Sequence, residues 1–107
     1  MDRKKLDRLA RELEQARRSP QKAEDLERLA ILAGRNAYAG GNHVMWQSRF
    51  PAHRPFPIPR HGGNSEVGHR VQKVVLEHLE ADFAAWEDEL EAEEREYREY
   101  GKGEDDE

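Results

Sequence analysis

RNAYAGGNHVMWQSRFPAHRPFPIPRH, residues Arg35 to His61, is the stretch on which the fold turns. Apolar and polar residues alternate in it with a period of two, which is the pattern of strands rather than helices. Gly40-Gly41 interrupts the alternation once and the PAHR connection, Pro51 to Arg54, interrupts it again, so a three-stranded antiparallel meander is expected. Parity assigns the faces. Val44, Trp46 and Phe50 share one side and should be buried, whereas His43, Met45, Gln47 and Arg49 share the other and should meet solvent. Pro55, Pro57 and Pro59 also share one parity, so their missing N–H groups all face one edge while Phe56, Ile58 and Arg60 can pair on the other. The third strand must then be an edge strand, with Phe56 and Ile58 turned toward the helices.

Helices are expected on both flanks. Between Asp2 and Arg18, Leu6, Leu9, Leu13 and Ala16 recur at helical steps and leave a stripe too narrow to stand alone. Ser19-Pro20 reads as an N-cap followed by a proline at the first helical position. The second helix takes Ala23, Leu26, Leu29, Ala30 and Ala33 as its core face and ends at Gly34 in the left-handed conformation. After Gly62-Gly63, Asn64 or Ser65 is placed to cap a third helix carrying Val67, Val71, Val74, Val75, Leu79, Phe83, Trp86 and Leu90. It should continue as a solvated acidic helix until Gly101 and Gly103 dissolve it. The expected fold is α+β in the order α-α-β-β-β-α. Its segments are an N-terminal amphipathic helix over 1–19, a domain over 20–86 and an acidic extension over 87–107.

A chain of 107 residues with 36% hydrophobic composition has room for one small core. The absence of cysteine leaves neither disulfides nor thiolate zinc sites and suits a reducing compartment. The longest apolar run, Leu29 to Gly34, is too short to span a membrane, and DRKKLDRLA after Met1 is no signal peptide, so a soluble cytoplasmic protein is expected. The net charge of −5 hides a strong segregation. Residues 1–33 carry +2, residues 34–76 carry +5 with Glu66 as their sole acid, and residues 77–107 carry −12. Arg35, Arg49, Arg54, Arg60, Arg70 and Lys73 thus form the one concentration of groups suited to a phosphodiester backbone.

His43, His53, His61 and His69 raise the question of zinc. Their separations of 10, 8 and 8 residues put no two imidazoles on one face, so no metal site is assigned. No phosphate loop, dinucleotide fingerprint or nucleophile elbow is present either, and no cofactor is expected.

The order of elements, with Gly41-Asn42-His43-Val44 opening the second strand and Ile58-Pro59-Arg60-His61-Gly62 closing the third, resembles the HicA family of toxin mRNA interferases. Gly68 and VQKVVLEHL, Val71 to Leu79, are similar to the start of the family's closing helix, and the resemblance spans about residues 22–83. It implies a fold like the double-stranded-RNA-binding domain (dsRBD), a catalytic imidazole at His43 and inhibition by an antitoxin of the HicB type. Two positions depart from the family's Gly-Ser-His-His turn: Asn42 stands for the serine and Val44 for the second histidine.

Metal-free RNA cleavage is chemically within reach of these residues. RNA supplies its own nucleophile, and a base that removes the 2′-OH proton lets that oxygen attack the adjacent phosphorus. An imidazole suits the task. Arg49 on the same expected face, with Arg60 or Arg35 close, would hold the phosphate, and His61 is the candidate general acid. Two other readings stay open: a non-catalytic RNA-binding module, and an interaction module acting through the acidic helix. The acidic extension is either a solvated arm or one that folds over or dimerises, Leu6, Leu9 and Leu13 meeting Trp86, Leu90 and Tyr97, so that its carboxylates compete with RNA for Arg49, Arg54 and Arg60.

Overall fold

The computed structural model describes residues 1–60 and 65–105. Helix α1 spans Arg3–Ala16, α2 Ala23–Leu32, and α3 His69–Asp105; strands β1 (Asn36–Gly40), β2 (His43–Gln47) and β3 (Phe56–Pro57) lie between α2 and α3. They form a three-stranded antiparallel sheet in the order β1-β2-β3, so the fold is α+β, and the proline-rich strand lies at an edge.

The α1 stripe behaves as its spacing requires. Asp2 caps the helix by accepting the Lys5 N–H at 2.7 Å, and Leu6, Leu9, Leu13 and Ala16 are all buried. Their cover is α3 of the same chain, which runs antiparallel to α1; Arg17 pairs with Glu80, and Arg3 lies 3.5 Å from Glu94. The apolar stripe of α1 is therefore consumed within the chain, while Tyr97, on the projecting part of α3, is exposed.

Helix α2 begins three residues later than the Ser19-Pro20 signal indicates. Its N-cap is Lys22, whose N–H donates to the Asp25 carboxylate at 3.1 Å. Ser19 to Lys22 are held out of the helix from a distance: the Gln72 side chain donates to the Ala16 and Ser19 carbonyls at 3.0 Å and accepts from Gln21 N–H at 2.8 Å. Lys22 also bridges Glu66 in antiparallel fashion. The other end obeys its sequence. Gly34 adopts φ +90°, and the Arg35 N–H reaches back to the Ala30 carbonyl at 2.9 Å, closing a Schellman motif.

A Cβ at Gly34 would lie 3.0 Å from Trp86 Cζ2, and the indole cannot retreat freely because its N–H donates to the Ala33 carbonyl at 2.7 Å. Gly34→Ala therefore combines a left-handed penalty with a steric one. We expect a loss of about 2 kcal/mol, read as a lower urea midpoint at unchanged slope. A midpoint within error of wild type would show that the helix end relaxes at no cost.

Within the sheet, a two-residue turn, Gly41-Asn42, closes β1 onto β2 with Gly40 opposite His43. Gly41 takes φ +71°, as the first position of a type II′ turn requires. Trp46 and Phe56 pair across β2 and β3, both buried on the face covered by α3, where Phe56 stacks on His78 at 5.1 Å. Ile58 is buried beside them. Val44 departs from expectation. It shares the parity of Trp46 yet is 53% exposed, because parity fixes a face and not whether anything covers it; near the hairpin tip nothing does. For the same reason Asn36 to Ala39 of β1 are exposed on both faces.

Helix α3 starts at His69, after Val67 has been buried in the preceding segment, and Val74 is 44% exposed rather than in the core. Its 37 residues extend about 55 Å. The helix passes through Gly101 and Gly103 instead of ending there. A glycine costs a propagating helix about 1 kcal/mol, and spacings such as Glu91–Arg95 and Glu94–Arg98 favour the helical state. Residues 91–100 are exposed on every side.

Candidate functional site

Two places concentrate chemistry, and they lie at opposite ends of β2. The first is the hairpin. His43 is the first residue of β2 and is exposed, held by the ladder partner Gly40 and the glycine turn. On its face of the sheet the next rungs are Tyr38 opposite Met45 and Asn36 opposite Gln47. All but Met45 are exposed; Met45 is half-buried over Gly40, where a Cβ would come within 2.4 Å of its Cγ. Residues 34–60 contain no carboxylate, so no acid on these strands repels a polyanion from this face.

The basic residues read from the sequence do not gather around His43. Arg35 must be withdrawn from any RNA-facing set, because it is buried and all three of its guanidinium nitrogens donate inside the protein. About 13 Å of strand separates His43 from Gln47. Arg49 lies beyond that, stacked over Trp86 at 4.8 Å and bonded to Glu89 at 2.9 Å. It therefore cannot hold a phosphate at His43, as its shared parity had suggested. Arg54 is exposed in the β2–β3 connection at that same far end. Arg70 and Lys73 are exposed on α3, which covers the opposite face of the sheet. Arg60 differs. The chain leaving β3 runs back toward the hairpin end, and Arg60 follows it, exposed and paired through two nitrogens with the Glu27 carboxylate. His61, the candidate general acid, lies outside the described residues.

The second place is built on Asp82, which is 0% exposed. Arg35 grips it with two bonds, Nε to Oδ2 at 2.6 Å and Nη2 to Oδ1 at 3.0 Å, and spends Nη1 on the carbonyls of Trp46 and Arg54 at 2.9 and 3.0 Å. His53 Nδ1 lies 2.7 Å from Asp82 Oδ1. Serine, histidine and aspartate thus meet here, but not as a nucleophilic triad. The Ser48 hydroxyl donates to Asp82 at 3.3 Å and accepts from Phe50 N–H at 3.1 Å, so it is aimed at the carboxylate rather than at the imidazole. What the cluster does is fasten the start of β1, the β2–β3 connection and α3 together through one buried charge.

The sequence carried a signal for it. Leu79, Asp82 and Trp86 fall at i, i+3 and i+7 of one helical face, so an acid sits within the core stripe of α3 and requires a buried cation. Which cation satisfies it is decided 47 residues away.

His78 lies one turn before Asp82 and has its pKa lowered, first by burial against Phe56 and then by the Arg35 charge; Asp82 and Glu77 act in the opposite direction. The neutral form is therefore the native one. Stability from this site is complete above the ordinary value of 6.5 and is lost as pH falls through the lower folded-state pKa, since the unfolded chain takes up the proton first. His78→Gln should lower stability at all pH by losing the stacked ring, yet reduce the fall in denaturant midpoint on acidification below 6.5. Parallel pH profiles for the two proteins would remove His78 from the account.

Among the described residues no three His, Cys, Asp or Glu side chains are arranged to hold a metal ion, and no helix is long and apolar enough to cross a membrane. No family model matches the chain, and no curated protein or solved structure is significantly similar to it.

Proposed function

We propose that the protein is a metal-independent endoribonuclease of the HicA kind, built on a dsRBD-like fold and acting at the open hairpin face. The observation that carries this is His43 itself. It is an exposed imidazole fixed as the first residue of β2 by a glycine turn, at the position the family resemblance gives to catalysis. The sequence α2-β1-β2-β3-α3 and the acid-free strands support the same reading.

In the reaction, His43 takes the proton from the ribose 2′-OH as O2′ forms a bond to phosphorus and the P–O5′ bond breaks. The departing 5′-oxygen is protonated by a general acid, for which His61 is the candidate. Products are a 2′,3′-cyclic phosphate and a 5′-hydroxyl. Of the arginines, Arg60 follows the strand that returns toward His43, and to hold the phosphate it must leave Glu27 of α2 and turn round the β3 edge to the His43 face. An antitoxin of the HicB type would act by covering this face, in the cytoplasm where mRNA is met.

A second reading, RNA binding without cleavage, is favoured by one observation. Val44 occupies the second histidine position of the turn and is exposed, so the hairpin presents one imidazole where the family presents two. Incubating single-stranded RNA with the protein in EDTA separates the two. The nuclease reading expects fragments ending in cyclic phosphate and no cutting of 2′-O-methyl RNA. RNA that is bound but stays intact would leave only the binding module.

A further inference from the structure

We infer that the open face of the β1–β2 hairpin is a platform for single-stranded RNA on which Tyr38 stacks an unpaired base next to the phosphate presented to His43. This rests on the reading that the hairpin face acts on RNA, and it names the residue that positions the substrate.

Tyr38 is 41% exposed, on a strand whose neighbours Asn36, Ala37 and Ala39 are exposed as well, so its ring is not spent on the core. It stands opposite Met45, two residues along β2 from His43, which makes Tyr38 and His43 a diagonal pair on one face. Diagonal neighbours lie about 7–8 Å apart, within reach of an aromatic side chain. Between them the face is low, because Gly40 has no side chain and Met45 folds over it. One rung further, Asn36 and Gln47 stand directly opposite each other, and their amides can both donate to and accept from the edges of a base. The face thus carries an imidazole, an aromatic ring and an amide pair in successive rungs about 7 Å apart.

Chemistry favours nucleic acid over a protein on this face. A stable protein interface needs an extended apolar centre, and here Tyr38 has only the half-buried Met45 beside it, with amides on one rung and an imidazole on the other. The acid-free stretch from 34 to 60 in an otherwise acidic chain matches a polyanion. A duplex keeps its bases stacked inside and offers Tyr38 no ring face, so the strand must be single.

The test measures affinity of the full chain for a 2′-O-methyl RNA oligonucleotide, which lacks the attacking hydroxyl, and for a set of the same oligonucleotides each missing one base. Tyr38→Ala should bind the intact oligonucleotide about tenfold more weakly, and Tyr38→Phe within about twofold of wild type, because stacking uses the ring and not the hydroxyl. Removing the stacked base should weaken wild type by the same factor and leave Tyr38→Ala unaffected. That coupling is a readout that a purely structural role for Tyr38 would not produce. Affinity for heparin, which has no bases, should not change. Intact RNA bound equally by Tyr38→Ala and wild type overturns this inference alone and leaves the nuclease reading standing. No RNA affinity in the wild-type protein at low salt overturns it together with the nuclease reading.

Discussion

His43→Ala is expected to remove RNA cleavage, lowering the rate by about 10²- to 10⁴-fold, while the unfolding free energy from urea titration stays within about 0.5 kcal/mol of wild type. The two halves of the expectation have separate causes. An exposed side chain at a strand end makes little contribution to packing, and Gly40 opposite it has no side chain to lose a contact. On the nuclease reading the rate depends on the imidazole because no other described histidine can replace it on the same phosphate: His53 lies past the far end of β2, His69 opens α3, which covers the opposite face of the sheet, and His78 is under the sheet against Phe56. RNA binding should survive, since on this reading affinity would come from charge and stacking rather than from the imidazole. Added imidazole should restore part of the rate in His43→Ala, because free imidazole can reach the open face from which the ring has been removed. Cleavage at wild-type rate by His43→Ala, with loss in His53→Ala, would move the reactive centre to the other end of the strand.

Arg35→Ala is expected to have the largest effect on stability, about 3–5 kcal/mol. The substitution leaves the Asp82 carboxylate buried with only His53 and Ser48 to satisfy it, and deprives the Trp46 and Arg54 carbonyls of their donor. For a domain whose whole stability is about 5–15 kcal/mol, that is enough to populate unfolded chain at physiological temperature. Arg35→Lys should rescue little, because one ammonium cannot replace a planar fork that reaches a carboxylate and two carbonyls at once. The diagnostic comparison is the double replacement Arg35→Met with Asp82→Leu. Removing both charges should cost less than removing either alone, because no unpaired charge is left inside. Single and double variants with additive losses would mean that the pair is not coupled. Any weakening of RNA binding in Arg35→Ala should follow the fraction unfolded, in contrast to an arginine that touches phosphate.

The sequence alone determined what local periodicity encodes. Leu6, Leu9, Leu13 and Ala16 are buried because a 3.6-residue repeat can satisfy only one face, and Gly34 ends α2 because it accommodates the positive φ of the Schellman turn without a Cβ penalty. The parity of three prolines put β3 at an edge and turned Phe56 and Ile58 inward. Parity likewise placed His43 on the solvent side. What it could not give was cover or partnership. Val44 has the right parity and no lid; Ser19 has the right chemistry for a cap, but Gln72, more than fifty residues later, holds its carbonyl in an extended connection. Arg35 looked like one cation among six in a basic stretch and is instead the counter-ion of Asp82, separated from it by 47 residues. Periodicity is a property of neighbours along the chain. The pairing of buried charges is decided by which helix is laid across which strand, and that choice is made only when the tertiary structure removes both groups from water.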